Sequence, residues 1–475
     1  MDNDKKGAFG MSKKKRGNFS GTIGFVMAAA GSAVGLGNIW RFPYLAAKGH
    51  GGVFILCYLI LALTFGFTLL TTEIAIGRKT GQSPLTAYGK LHPRWKGLGF
   101  LACLVPTIIL PYYCTIGGWV MKYMYTFVIG AGKDAAQDDY FTGFITGNWE
   151  PLLWMVVFLG ITAFVVYRGV NKGIEKYSKI LMPVLLLLVI GISVYSLTIR
   201  HTDASGVTRT GLQGLKVYLV PDFSGITVKE FLVVLMDAMG QLFFSISVSM
   251  GIMIAYGSYV KKDVNLMKSI NQIEIFDTVV ALLAGLMIVP AVFTFMGTEG
   301  MSYGPGLMFV SLPKIFDAMG VAGKVIGILF FVMVVFAAVT SAVSVMEAIV
   351  SSMMDSRKWS RRKSTVIVTI YALVGALVVC LGYNLWYFEI TLPNGVVGQI
   401  LDILDYISNN CLMPLVALLT CILIGWIVKP KTVIDEVTLG GYPFHRKKLY
   451  ILMIQWVAPA LLAVLLLQSI GVLRL

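Results

Sequence analysis

Apolar stretches long enough to cross a lipid bilayer recur along the whole chain, and this limits the fold more than any other feature. A hydrocarbon core requires about 20 apolar residues in a helix. Eleven such spans are expected, at roughly 19–46, 52–78, 97–131, 151–168, 176–198, 227–257, 270–297, 324–355, 364–383, 397–428 and 447–473. Lipid offers no partner to backbone N–H and C=O groups, so the expected class is an all-α membrane protein. Only 13% of residues are charged, about half the usual share of a soluble domain. Several stretches exceed the length needed, which predicts tilt or breaks.

The net charge is +15. On a soluble chain this would suggest nucleic acid. Here the basic residues sort by membrane side, and no nucleic-acid partner is expected. With the N-terminus in the cytoplasm, 28 of the 39 Lys and Arg fall in cytoplasmic segments and 9 outside. The positive-inside rule favours that orientation, and an odd span number then places the C-terminus outside. The first apolar block is too long for a cleaved signal segment. All six cysteines lie within apolar blocks, as packing residues do. The four histidines, His50, His92, His201 and His445, are far apart in or near loops. They form no metal or nucleophile constellation, and an enzyme is not expected.

Two spans carry breaks. The first contains Gly31-Ser32-Ala33-Val34-Gly35-Leu36-Gly37-Asn38, and the sixth Ser245-Ile246-Ser247-Val248-Ser249-Met250-Gly251. Glycines weaken a helix interior. Non-helical backbone at membrane depth persists only where protein surrounds it or it lines a cavity. For either segment alone, close packing through small residues explains the pattern equally well. Asn38 and Arg41 are not required by packing. Breaks in the first and sixth spans are the spacing expected of two inverted five-helix repeats, spans 1–5 and 6–10, with one extra helix. The chain then divides into a cytoplasmic segment at 1–18 and one transmembrane domain at 19–475. The repeats cover about 19–198 and 227–428, and the extra helix about 447–473.

GSAVGLGNIWRFPY in span 1, Tyr112-Tyr113 in span 3, FFSISVSMG in span 6, GPGLMFVSLP in an outer loop and TSAVSVMEAIV in span 8 resemble the neurotransmitter:sodium symporter family. The resemblance runs from Arg16 to the last span, with the leucine-transporter fold, and eleven spans point to the bacterial amino-acid-transporting branch. It implies two Na⁺ sites and no organic cofactor. The first site would use the Ala33 carbonyl, Asn38, Ser245 and Asp277, completed by the substrate carboxylate. The second would use carbonyls of Gly31, Val34 and Ala337 with the Thr340 and Ser341 hydroxyls. Taken alone, those hydroxyls are expected to back-bond to their own helix; their place in the span 8 motif reverses that preference.

The same resemblance implies a substrate site from Ala33, Gly35, Gly37, Ile109, Tyr113, Phe244, Ser245, Ser247, Met250 and Val345. Monoamine carriers of the family have an aspartate where this chain has Gly35. A substrate that brings its own carboxylate fits, with Tyr113 hydrogen-bonded to it. The side-chain pocket is apolar and uncharged, and Met is adaptable. Large aliphatic and aromatic L-amino acids are the expected partners.

Arg41 and Asp405 resemble the family's outer gate, with Phe244 as a lid. Arg16 and Asp355 resemble its inner gate, with Phe19 where the family usually has Trp. Gly173 and Pro183 give a Gly-x9-Pro spacing, read either as an end of span 5 that unwinds or as a simple kink. Charged residues inside a span are functional by default. Asp277 stands where relatives more often have Asn, and Ala281 replaces the Ser of chloride-dependent relatives. Asp277 is therefore expected to supply the fixed negative charge and to take up a proton on the return step. Glu73 and Glu347 are expected to bond backbone groups at the broken helices. Together these features imply a sodium-coupled, chloride-independent amino-acid importer of a prokaryotic inner membrane. A carrier of another substrate on the same fold, and a transporter-like receptor, are the alternatives. An ion channel would need a symmetric pore motif, and none is present.

Overall fold

The computed structural model describes residues 17–203, 205–297, 306–393 and 395–473. Among these, nine helices are long and apolar enough to cross a membrane. The pair Thr22–Ala33 and Gly37–Lys48, bent by 50°, makes a tenth. Length and apolarity alone thus count ten crossings rather than eleven. The expected sixth span is present as a second broken pair, Val228–Ser245 and Ile252–Gly257. The second half has only six residues, and Lys229, Glu230 and Asp237 in the first half lower its apolarity.

Burial separates an inner group of helices from a lipid-facing group. The most apolar window of Gly52–Thr80 is 72% buried, and those of Pro93–Val128 and Val321–Arg357 are each 67% buried. The corresponding windows of Glu150–Tyr167 and Arg361–Leu381 are 39% buried, and those of Val170–Thr198 and Lys447–Ser469 only 33%. Exposed apolar side chains on the second set are what lipid contact requires. The third and eighth spans pack extensively on each other. The first half-helix packs against the fifth, seventh and eighth spans, and Ile252–Gly257 against the second and eighth. Both breaks are therefore enclosed by protein. At about 1.5 Å per residue, the 36-residue third span and the 37-residue eighth span are far longer than a bilayer core, so they tilt or extend beyond it.

The two breaks differ in backbone conformation. In span 1 the helix ends at Ala33, the Gly35 N–H donates to the Ala33 carbonyl at 2.9 Å, and a π-turn follows over Gly37–Arg41. In span 6, Ser247 and Ser249 adopt left-handed φ angles of 53° and 64°, beside Gly251 at 71°. Such angles in non-glycine residues cost on the order of 1–3 kcal/mol each and gather at functional sites. The Ser247 hydroxyl donates to the Ser32 carbonyl at 2.9 Å, which holds the two breaks face to face.

The loops after spans 5 and 9 carry two short antiparallel hairpins, Arg200–Thr202 with Thr208–Thr210 and Ile390–Thr391 with Val397–Gly398. The loop after span 7 packs back onto the bundle from residue 306 onward. Its Phe309 ring stacks on Phe141 at 4.8 Å, and its Phe309 carbonyl accepts from Tyr123 at 2.8 Å.

Candidate functional site

Asn38 lies just beyond the break in span 1, Ser245 at the last turn before the break in span 6, and Asp277 near the middle of span 7. All three are fully buried, as is Tyr58 from span 2. Asn38 Nδ2 donates to Asp277 Oδ1 at 2.7 Å. The Ser245 hydroxyl lies 2.9 Å from both Asp277 carboxylate oxygens and 3.2 Å from Asn38 Oδ1. Tyr58 OH reaches Ser245 Oγ at 3.0 Å and Asp277 Oδ2 at 3.3 Å. Gln241 Nε2 binds the Gly37 carbonyl at 2.9 Å, and its Oε1 is buried without a hydrogen bond. One carboxylate among neutral oxygen ligands suits a hard cation such as Na⁺.

The residues of the expected second cation site also converge, with unequal geometry. Ser341 Oγ points across to span 1, 3.0 Å from the Ser32 carbonyl and 3.5 Å from that of Gly31. Thr340 Oγ instead donates within its own helix, to Phe336 at 2.9 Å and Ala337 at 3.1 Å. Back-bonding, the ordinary alternative for a helical threonine, describes Thr340 but not Ser341. Gly31 packs directly on Thr340: a Cβ there would lie 3.3 Å from Thr340 Cβ. Val34 is fully buried at the break itself.

Between the breaks lies a contracted cavity of about 20 Å³. Ala33, Gly35, Ile109, Tyr113, Phe244, Ser247, Met250 and Val345 line it, with Ser32 and Ser341. That volume holds about one water, so an amino acid enters only as the walls part. Two expected lining residues are elsewhere. Ser245 belongs to the Asp277 cluster, and Gly37 lies beneath the Phe244 ring, where a Cβ would approach Phe244 Cδ1 within 2.3 Å. Gly35 has no room for a side chain, since a Cβ would lie 2.5 Å from Ser341 Oγ and 3.2 Å from Tyr113 OH. The buried Tyr113 hydroxyl makes no hydrogen bond of normal geometry. It is a polar group left available in a cavity whose larger side chains, Ile109, Phe244, Met250 and Val345, are apolar.

Outside this cavity opens a vestibule of about 390 Å³. Phe244 and Tyr113 line both spaces and so separate them. Arg41 and Asp405 face the vestibule, but no ion pair within 4.0 Å joins them among the described residues. The expected closed outer gate is thus not formed. Asp405 accepts from Asn409 Nδ2 at 2.5 Å instead, one helical turn away, and the open vestibule keeps Arg41 apart. Asp402 and Asn409 also line the vestibule and were not foreseen. Their only signal was spacing of three and four residues from Asp405.

Phe19 is buried against Phe25, Tyr256 and Tyr259, and its N–H donates to the Tyr259 carbonyl at 3.2 Å. Asp355 accepts the Ser83 N–H at 2.7 Å. Arg16, its expected partner, lies outside the described residues. The chain at Gly173 is helical, within a π-turn over Val170–Glu175 that leads into the helix containing Pro183, so this end is not unwound.

The two remaining buried acids behave differently. Glu73 accepts the Ser249 N–H at 2.6 Å, inside the break of span 6. Among the described residues, Glu347 makes no hydrogen bond to a broken-helix backbone. It forms a two-pronged pair with Arg361, at 2.6 and 2.8 Å, and accepts from Tyr259 at 2.7 Å. A buried carboxylate needs a counter-charge as well as hydrogen bonds, and Arg361 at the head of span 9 supplies it. Sequence position had grouped Arg361 with the loop charges, which hid this pairing.

A model of the sodium:neurotransmitter symporter family matches residues 16–131 and 145–474. An uncharacterized sodium-dependent transporter, YhdH of Bacillus subtilis, is 33% identical over 98% of this chain and all of its own length. The human sodium- and chloride-dependent GABA transporter 2 is 28% identical over 63% of this chain and 56% of its own. The crystal structure of MhsT in complex with L-phenylalanine superposes with a TM-score of 0.83 at 34% identity, covering 96% of this chain and all of that one. With most of its length matched by the family model and a contracted cavity between two broken membrane helices, this chain belongs to the sodium:neurotransmitter symporter family.

Proposed function

We propose that this protein imports neutral, hydrophobic L-amino acids on a sodium gradient by alternating access. The observation that carries the reading is the cavity between the breaks. It offers the Tyr113 hydroxyl, the open backbone at Gly35 and an apolar remainder from Ile109, Phe244, Met250 and Val345. A substrate carboxylate placed over Gly35 meets Tyr113, and helix-end amides at the breaks favour an anion there. An apolar side chain fills the rest. L-Phenylalanine bound to MhsT, a structural relative, supports this substrate class.

Sodium enters the mechanism as co-substrate. The first ion sits among Asn38, Ser245, Asp277 and the Ala33 carbonyl. The second is held by Ser341 and Thr340 with carbonyls of Gly31, Val34 and Ala337, once Thr340 turns from its own helix. Filling both sites draws the half-helices together around the substrate, and Phe244 covers it from the vestibule. Arg41 and Asp405 then close above. Asp277 takes the place of chloride, because its carboxylate already occupies the Ser245 and Tyr58 hydroxyls. An ionised carboxylate without a cation is costly inside a membrane protein, so Asp277 returns with a proton and the cycle exports H⁺. The N-terminus is cytoplasmic, and repeats of five spans, 19–198 and 227–428, move against each other.

Uptake of radiolabelled amino acid into proteoliposomes, with and without an inward Na⁺ gradient, tests the reading. Leucine, phenylalanine and tryptophan should compete, whereas lysine, glutamate and dopamine should not. A methylene in such a pocket contributes only about 1–3 kcal/mol, so several hydrophobic substrates should be accepted. Equal uptake in choline medium would sink the proposal.

A further inference from the structure

A crevice of about 470 Å³ lies on the N-terminal side of the membrane, where the approach to span 1 meets the start of span 5. Ser20, Arg168, Lys172, Glu175, Lys176 and Lys179 line it. Four cations thus surround one carboxylate. Glu175 is already engaged by Lys179 Nζ at 2.6 Å and by the Ser20 N–H at 2.9 Å. Arg168, Lys172 and Lys176 have no ion-pair partner among the described residues. Arg168 lies over the Phe164 ring at 5.2 Å, a contact that leaves its charge uncompensated. Three positive charges therefore face one concave space, which calls for an anion with several acceptor oxygens.

The surface beyond the crevice narrows the choice. Lys172, Lys176 and Lys179 follow helical spacing along the start of span 5. Where these cations end, an exposed apolar strip begins. Ile180, itself part of the crevice wall, is 55% exposed, Val184 40% and Leu187 70%. A soluble phosphate would use the cations and leave the strip idle. A phospholipid uses both, with its phosphate among the lysines and an acyl chain along the strip. Basic crevices between membrane helices on this side are suited to acidic headgroups.

We propose that the crevice between Ser20 and the start of span 5 is a binding site for the headgroup of an anionic glycerophospholipid. Ser20 also ties the approach to span 1 to Glu175, so the headgroup rests against the inner end of a broken helix. The assignment to the cytoplasmic leaflet rests on the orientation proposed above, whereas binding itself does not depend on transport.

The test uses the full chain in nanodiscs of phosphatidylcholine doped with phosphatidylglycerol, with retained lipid read by native mass spectrometry and affinity by titration of a fluorescent phosphatidylglycerol. The unmodified protein should retain phosphatidylglycerol in preference to phosphatidylcholine. Lys172→Gln with Lys176→Gln should weaken phosphatidylglycerol about 30-fold, and Lys172→Arg with Lys176→Arg should keep it. Both lysines are at the surface, so folding is not at stake, and a thermal melt verifies this. Equal retention by the Gln and unmodified proteins would overturn the site. Equally strong binding of inorganic phosphate would overturn the lipid assignment. Loss of sodium-driven uptake with normal lipid retention would strike the transport reading alone.

Discussion

Replacing Asp277 by Asn changes the charge of the proposed first cation site while leaving its shape nearly intact. Asp277 Oδ1 accepts from Asn38 at 2.7 Å, and the carboxylate lies 2.9 Å from the Ser245 hydroxyl. An asparagine can keep the bond from Asn38 through its own oxygen. Its amide can face Ser245 and Tyr58, whose hydroxyl oxygens also accept. Hydrogen-bond loss is therefore small, and loss of the fixed negative charge dominates. A unit charge about 4 Å from a monovalent cation contributes about 4 kcal/mol at an effective dielectric constant of 20. Desolvation of the carboxylate offsets part of this, so sodium affinity should fall by about 10²–10³-fold. The assay is binding of radiolabelled phenylalanine as a function of Na⁺ concentration, in chloride and in gluconate. The unmodified protein should give the same curve in both media. Asp277→Asn should need far more Na⁺ in both, and Asp277→Asn with Ala281→Ser should recover in chloride alone. A thermal melt near that of the unmodified protein verifies that the change is local. Unaltered sodium dependence of Asp277→Asn, or strict chloride dependence of the unmodified protein, would refute the reasoning.

Gly35→Ala drives a methyl into Ser341 Oγ, 2.5 Å away. Overpacking of about 1–3 kcal/mol should lower substrate affinity about tenfold to a hundredfold in an equilibrium binding assay. Ser249→Gly should raise thermal stability slightly, because it relieves a left-handed φ of 64° and removes a buried hydroxyl that has no hydrogen bond. Ser249→Val, by contrast, should cost at least about 1–2 kcal/mol in a detergent melt. Arg361→Ala leaves Glu347 buried without its counter-charge and should destabilise by about 3–5 kcal/mol. Arg361→Lys should recover only part of this in the same melt, since a lysine lacks the fork that meets both oxygens.

The broken helices were legible because backbone chemistry is local. Three glycines within seven residues of span 1 weaken a helix wherever they fall, and so do serines clustered at the middle of span 6. The apolar lengths of the other spans were equally plain. The sixth span reads as one apolar stretch in the sequence, but its helix breaks after Ser245 and its first half carries Lys229, Glu230 and Asp237, which is why a count by helix length and apolarity stops at ten. Glu347 was misread for the opposite reason. Its partner Arg361 is 14 residues away on the next helix, and nothing local to either residue says that the two helices bring them together.

By itself the sequence determined the class, the span positions, the basic bias between the two sides and the residues of the breaks, since each depends on short-range composition. Tertiary structure alone decided which of those residues meet. It brought Tyr58 to Asp277 from 219 positions away, turned Ser341 but not Thr340 toward span 1, and contracted the cavity between the breaks to about 20 Å³ below an open vestibule. It also left Arg41 and Asp405 apart. In uniformly apolar helices the side chains carry little periodic signal, so rotation about each helix axis is set by packing against neighbours. That rotation decides whether a hydroxyl or carboxylate faces a partner, its own backbone or the substrate path.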